Sequence, residues 1–475
     1  MPRGTRLALT ALAALLALGC REPRDSRIHI SYWEKWGGSE GEAMQRTVDQ
    51  FNRSQDRIVV EYLSTSQVNR KTLIATAGGD PPDVAGVWAN DVYSFADREA
   101  LLPLDDLIRA DGQTPDEWLG RYYAVYADMT LYRGRVWAAI STPSTCALHW
   151  NKTLFREAGL DPERPPRTLA ELDAFAEKLT KRDRAGQILQ LGFLPQEPGW
   201  FAWAFPQWFG GRLWDGTNIV FSATPENLAS YQWVAGYTHR LGIEAVRAFT
   251  AGFGNFSSPQ NPFMSGKVAM VFQGVWMNNY LRQYAPGLDY GVAPWPAAKP
   301  GLDDFTVADA DVLVIPRGAR HPKEAWEFIR FVTSANPRAT RFEELRGMEL
   351  LCYLQEKNSP LREWSPFFAE RHPHPHIALF RRLADSPHAV HIPKIGIWEE
   401  YSRETSQVFE TVRLLVKPPE AAMDFCQRRV AASWAMHRRS ADLRRAADRS
   451  ARPRRRGGRR KPARDARADA GRGTR

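Results

Sequence analysis

The sequence predicts an α/β protein built on a mainly parallel sheet. Three observations carry this: short segments that alternate apolar and polar residues, longer segments between them with apolar residues at helical spacing, and glycine or proline at the junctions. Ile28-His29-Ile30-Ser31-Tyr32-Trp33 alternates as a strand does, with every second side chain on one face. Ser39 stands three residues before Glu42, the spacing of a capping box, and Met44, Val48 and Phe51 then mark one face of a helix. Ile58 to Leu63 reads as a second strand, Val68 to Ala77 as a helix stopped by Gly78-Gly79, and Val84 to Val87 as a third strand. Strand, helix, strand, helix, strand implies parallel pairs joined by crossover helices. In such sheets ligands gather beyond the carboxyl ends of the strands. Two of those ends are Trp33 to Gly38 and Trp88 to Asp91.

A second unit begins after Val136 to Ile140. Thr168 and Glu171 repeat the capping-box spacing ahead of a helix with Leu172, Phe175 and Leu179 on one face. An aromatic-rich stretch broken by Gly and Pro follows, from Phe193 to Gly216. Val268 to Phe272 and Val312 to Ile315 read as buried strands. Pro322 opens a helix continued by Ala325, Phe328, Ile329 and Val332. The chain has no tandem repeat.

The two ends differ from this body. Arg3 and Arg6 precede an apolar run from Leu7 to Leu18, which is shorter than the roughly 20 residues that span a bilayer. A basic start, a short apolar run and a small-residue end describe a secretory signal. The run closes on Ala17-Leu18-Gly19-Cys20, similar to a lipobox, where the cysteine is lipidated and becomes the new amino terminus. Residues 1–19 are therefore expected to be a lipoprotein signal and 20–26 a lipid-anchored linker. The protein is expected to be exported and held at the cell-envelope membrane by Cys20. At the other end, Arg438 to Arg475 hold 16 Arg or Lys against 4 Asp, so the net charge of +10 lives in the tail and the body is mildly acidic. With no large apolar residue after Leu443, 438–475 is expected to be disordered. An exported protein meets little nucleic acid, so no nucleic-acid partner is expected. Such a tail suits anionic lipid or wall polymer. Cys146, Cys352 and Cys426 leave room for one bridge, and no CxxC spacing points to a metal or redox cofactor.

Within the body, Gly79-Asp80-Pro81-Pro82-Asp83-Val84 and Leu102-Pro103-Leu104-Asp105-Asp106-Leu107-Ile108 resemble the first lobe of family 1 extracellular solute-binding proteins, the group that includes maltose-binding protein. Trp150-Asn151-Lys152 with Thr153 to Leu160 is similar to that family's aromatic-Asn-Lys motif. Phe263 to Met270 with Gly274-Val275-Trp276, and Ile315-Pro316-Arg317-Gly318, follow in family order. The resemblance spans Ile28 to about Gln427. It implies a two-lobed periplasmic-binding-protein-like fold, with a ligand cleft between lobes joined by hinge crossings. The crossings would fall near Thr142 to Thr145, Ala293 to Pro300 and Ala335 to Thr340. The first lobe would comprise 27–141 and 301–334, and the second 142–300 and 335–437.

A sugar presents hydroxyls at its rim and C–H faces above and below, so its cleft needs aromatic platforms and a few carboxylates or amides. Trp88-Ala89-Asn90-Asp91 resembles a maltose-type Trp-Ala-x-Asp segment, which implies Asp91 as hydroxyl acceptor and Trp88 beside the sugar. Gln196-Glu197-Pro198-Gly199-Trp200 resembles the Gln-Glu-Pro-aromatic segment, with Glu197 as acceptor, Trp200 near the stacking position and one residue inserted. Trp276 matches the Gly-x-Trp platform, and Trp398 falls where the family often places its carboxy-terminal stacking aromatic. Glu34 and Trp36 sit at a strand end that faces the cleft. Ser144 stands where the maltose type has a cleft glutamate, which argues against maltose itself. Trp203, Trp208 and Trp214 read as packing. His372, His374 and His376 alternate with prolines that block helical presentation to a metal.

The resemblance implies a non-enzymatic partner of an ABC importer: a monomer that captures sugar, probably an oligosaccharide by its aromatic content, and delivers it to membrane permease subunits served by a cytoplasmic ATPase. Two alternatives share the composition. A glycosidase would also combine aromatics with carboxylates, but no paired acid and base positions emerge and no GxSxG motif is present. A binding protein for a peptide or another non-sugar solute would use the same fold, with charged anchors in place of tryptophans.

Overall fold

Alternation along 28–34 buries Ile30, Tyr32 and Glu34 on one face. In the computed structural model, which describes residues 25–451 apart from 197, 198 and 256, with side chains to Leu443, this segment is strand β1 (Ile28–Glu34). It pairs in parallel with β2 (Ile58–Ser64) on one side and β3 (Val84–Trp88) on the other, as the crossover pattern predicts. The helix Gly38–Ser54 buries Met44, Val48 and Phe51 as its period requires. Its expected capping box does not form: Gly37 is the cap residue, with no side-chain cap. The chain enters through Gly38 at φ 54°, and a Cβ on Gly41 would lie 2.7 Å from the Trp36 carbonyl oxygen, so the helix starts before Ser39. The helix Val68–Gly78 stops at Gly79, whose φ of 82° suits glycine.

The short strands β4 (Leu131–Tyr132) and β5 (Arg135–Val136) pair with each other. The 13-residue β6 (Ala139–Asn151) joins the two halves of the main sheet. Beyond it come β7 (Lys181–Arg182), β8 (Ile188–Phe193), β9 (Val268–Gly274), β10 (Tyr290–Ala293), β11 (Thr306–Val314) and β12 (Ala389–Val390). The order is β2-β1-β3-β11-β6-β9-β8-β7, with β10 beside β6 and β12 beside β11. The pairs β2–β1, β1–β3 and β9–β8 are parallel, but β3–β11, β11–β6, β6–β9 and the edge pair β8–β7 are antiparallel. The sheet is therefore mixed where the sequence suggested mainly parallel. The cause is that β6 and β11 run through the centre in opposite directions, each shared between neighbours. β6 pairs with β11 through Thr145 and with β9 from Cys146 onward, so one continuous strand serves both halves.

Thr168 Oγ accepts from the Glu171 N–H at 3.2 Å and starts the helix Leu169–Leu179, while the Glu171 carboxylate turns to the Arg167 N–H at 2.7 Å. Pro322 is the first residue of the helix Pro322–Val332, which buries Ala325, Phe328, Ile329 and Val332 as expected. Tryptophans largely pack. Trp208 is fully buried and donates to the Pro296 carbonyl at 2.6 Å, and Trp295 stacks on Phe272 at 3.7 Å. Trp203 is buried and Trp214 half-buried. The three body cysteines are free and buried, so the bridge for which the sequence left room is not formed. His374 is buried, and the three histidines of the Pro-interrupted tract hydrogen-bond to backbone: His372 to the Lys357 carbonyl, and the His374 and His376 N–H groups to the preceding histidine rings.

The final helix, Pro419–Ala451, continues past Arg438. Disorder was expected from that point, but alanine, arginine and leucine are strong helix formers even without an apolar face. The remainder of the basic tail, and the signal with Cys20, lie outside the described residues. Among the described residues no helix is long and apolar enough to cross a membrane.

Candidate functional site

The carboxyl ends of β1 and β3 deliver Glu34-Lys35-Trp36 and Trp88 to one edge of the sheet. Asp91 follows in the first turn of the helix Ala89–Asp97, and Trp398 is the first residue of the helix Trp398–Arg413. A cavity of about 430 Å³ lies between them, lined by Trp88, Asp91 and Trp398 with Asn69, Arg70 and Glu399 among others. The structure thus brings together three of the residues singled out from the sequence. Trp88 is 45% exposed and offers an indole face, whereas Trp398 is only 3% exposed and packs edge-on against Trp203 at 5.7 Å. Asn69 donates to Asp91 Oδ2. Burial, then the negative charge of Glu399, pushes Asp91 up to about 7 against the pull of Lys35.

Glu34 is placed differently from an exposed acceptor. It is fully buried, takes the Tyr32 hydroxyl at 2.7 Å and the Lys35 N–H at 2.7 Å, and occupies the space a Cβ on Gly86 would need. Its role here is to hold Lys35, whose Nζ lies 3.2 Å from Glu34 and 2.8 Å from Asp311. Burial alone would lower the Lys35 pKa, but Asp311 and Glu34 outweigh it and hold it above the ordinary value. Lys35 Nζ sits 5.0 Å from the ring centre of Trp36 and 5.5 Å from that of Trp88, within cation–π range. Trp36 is buried, with Lys357 5.7 Å from its ring, and Lys357 in turn pairs with Glu40 at 2.6 Å.

Trp276 and Trp200 form a second cluster, which is not part of that cavity's lining. Their rings lie 6.0 Å apart, Phe201 is 6.5 Å from Trp276, and Trp200 is 43% exposed. The Trp276 ring covers Gly274 so closely that a Cβ there would lie 2.1 Å from it, and its buried Nε1 has no hydrogen-bond partner among the described residues. Ser144 lies on β6 opposite Asp309 of β11 and is half-buried. Glu197 lies outside the described residues.

Sequence reasoning missed Asn69, Lys35, Glu399 and the pair Asp309 and Asp311. The available signal for the last two was an Asp-Ala-Asp run inside an otherwise apolar strand. A larger cavity of about 680 Å³, between the helices Leu169–Leu179 and Pro225–Leu241, contains none of the predicted residues. Its central carboxylate, Asp173, is occupied by Trp233 Nε1 at 3.1 Å and the Tyr237 hydroxyl at 2.7 Å. The smaller cavity, by contrast, combines an open aromatic face with carboxylates, which is chemistry for grasping a polyol. Among the described residues no three His, Cys, Asp or Glu side chains converge as metal ligands.

Comparison with known proteins identifies the family and the fold. Residues 36–338, more than half of the chain, match the family described as bacterial extracellular solute-binding protein. The sn-glycerol-3-phosphate-binding periplasmic protein UgpB of Pectobacterium atrosepticum is 25% identical over 353 residues, covering 70% of this chain and 75% of that one. Among solved structures, CpMnBP1 with mannotriose bound is 27% identical at a TM-score of 0.71, covering 84% of this chain and 99% of its own. The sugar-binding protein MalE of Xanthomonas citri shares the fold at 20% identity and a TM-score of 0.69, covering 86% and 98%. These neighbours share the two-lobed periplasmic-binding-protein-like architecture, and this chain belongs to the bacterial extracellular solute-binding protein family.

Proposed function

We propose that this protein captures a sugar, an oligosaccharide, in the cleft lined by Trp88, Asp91 and Trp398 and delivers it to an ABC importer without catalysing a reaction. The observation that carries the reading is an exposed indole face beside a half-buried carboxylate in one cavity. The mannotriose-bound and sugar-binding neighbours support it. The lobes would be 27–141 with 301–334, and 142–300 with 335–437, closing on ligand about β6. Trp276, Trp200, Glu197 and Ser144 would contribute from the second lobe and the crossing. Trp36 would brace the first. The protein would act as a monomer, tethered to the membrane through lipidated Cys20, with permease subunits recognising the closed form.

Lys35 and Lys357 are each already paired with carboxylates and so are withheld from an anion such as the ligand named for UgpB, which leaves Arg70 and Arg98 as the cations of the cavity lining. The test is a thermal-shift panel of mannotriose, maltose, cycloalternan, tagatose and sn-glycerol 3-phosphate. A ligand present at 100 times its dissociation constant stabilises the fold by about 2.7 kcal/mol. A shift with a neutral sugar supports the reading. A shift with glycerol phosphate alone, or with none of the five, overturns it. Turnover of an oligosaccharide would overturn the non-enzymatic part.

A further inference from the structure

We propose that Asp309 is a ligand-contacting, specificity-determining residue of the cleft, an acceptor of ligand hydroxyls supplied by β11. The inference rests on the reading of the cleft as a sugar site. β11 runs antiparallel to β3, so its first half reaches the carboxyl edge, where Asp311 lies opposite Trp88. Asp309 and Asp311 are two residues apart and project from the same face, while Ala308 and Ala310 are buried on the other. The irregularity in β11 comes after Asp311 and leaves this alternation intact.

The two aspartates differ in one respect. Asp311 is paired with Lys35 at 2.8 Å. Asp309 has no ion pair among the described residues, and its one hydrogen bond there is from the Ala310 N–H to Oδ1 at 2.8 Å. It is half-buried and remains open to solvent. Directly opposite is Ser144, and facing residues of an antiparallel pair share a face. Ser144 is also the one residue of β6 that is not fully buried. The strand pair therefore opens to solvent on both strands at this step, and there it offers a carboxylate and a hydroxyl. Asp309 is not in the lining of the cavity that holds Asp91; it lies one step further along the β11 face whose Asp311 stands opposite Trp88. A half-buried carboxylate without a cation is costly to keep, and hydroxyl donors from a ligand would satisfy it. Two carboxylates and a serine hydroxyl select a neutral, hydroxyl-rich face and reject a phosphate or a sugar acid at this point.

The test titrates mannotriose and maltose by calorimetry into the full chain and into Asp309→Asn and Asp309→Ser, beside ligand-free melting curves. The expected result is a dissociation constant raised at least tenfold in both variants. A series of monodeoxy sugars supplies a readout that a structural role would not move. At one deoxy position the parent and Asp309→Asn should bind alike, because contacting groups are non-additive. Parental affinity within threefold in either folded variant overturns the proposal, as does an equal loss for every deoxy sugar. If the parent itself binds neither sugar, the sugar reading falls first and takes this inference with it. Retained binding in the variants removes Asp309 alone.

Discussion

Trp88 and Trp398 line the same cavity, yet they should respond to truncation in opposite ways. An indole side chain presents about 200 Å² of surface. With Trp88 45% exposed, about 90 Å² of it remains for a ligand to cover, worth about 2 kcal/mol at ~25 cal/mol per Å². Trp398 is 3% exposed and has under about 10 Å² left, or ~0.2 kcal/mol. Trp88→Ala should therefore raise the dissociation constant for a sugar about 30-fold. Its ligand-free stability should fall by roughly half as much as that of Trp398→Ala, whose nearly complete burial and edge contact with Trp203 predict a loss of about 3–5 kcal/mol. Trp398 stands at the family's stacking position, but its burial makes it costly to remove from the fold. The assay is calorimetric titration of both variants beside melting curves without ligand. If Trp88→Ala keeps parental affinity within ~threefold while Trp398→Ala melts like the parent and binds weakly, the apolar surface a ligand covers is not the one open in this cavity.

Two further outcomes follow from the structure and a third from the sequence. The Asp91 pKa is raised to about 7 from its ordinary 3.8, so ionising Asp91 disfavours the folded state. That penalty is absent below about pH 4, grows up to about pH 7 and is constant above it. Asp91→Asn should raise the ligand-free melting temperature, relative to the parent, more at pH 8 than at pH 4, and an equal effect at both would contradict the shift. Gly274→Ala should lower the melting temperature and displace Trp276, visible as a change in tryptophan fluorescence, because the new Cβ would lie 2.1 Å from the ring. Cys20→Ser should move the protein from the membrane fraction to the soluble one; continued tight attachment would assign the anchor to another segment.

The parts of the fold that the sequence displayed are those whose signals are local. The alternation of 28–33, the faces set by Met44, Val48 and Phe51, and the proline that opens 322–332 each depend on neighbours a few residues away, and each appears where expected. The central antiparallel strands were not legible, because β6 and β11 are separated by more than 150 residues and nothing in Thr142 to Thr145 announces a partner that far off. The site divides along the same line. Trp88 and Asp91 were recognisable because one short segment carries both. The fate of Glu34 was not, since it is decided by Gly86, a residue of another strand whose missing side chain leaves room for a buried carboxylate. Once Glu34 and Asp311 hold Lys35 between them, that cation is committed at the edge where Trp88 emerges, and it can steady the indole without attracting an anion. Asp91, from a helix start, and Asp309, from a strand far along the chain, supply carboxylates at this edge, where Arg70 and Arg98 also line the cavity. The commitment of Lys35 therefore depends on charge pairing across distant strands, whereas the pairing of Trp88 with Asp91 can be read from a single segment.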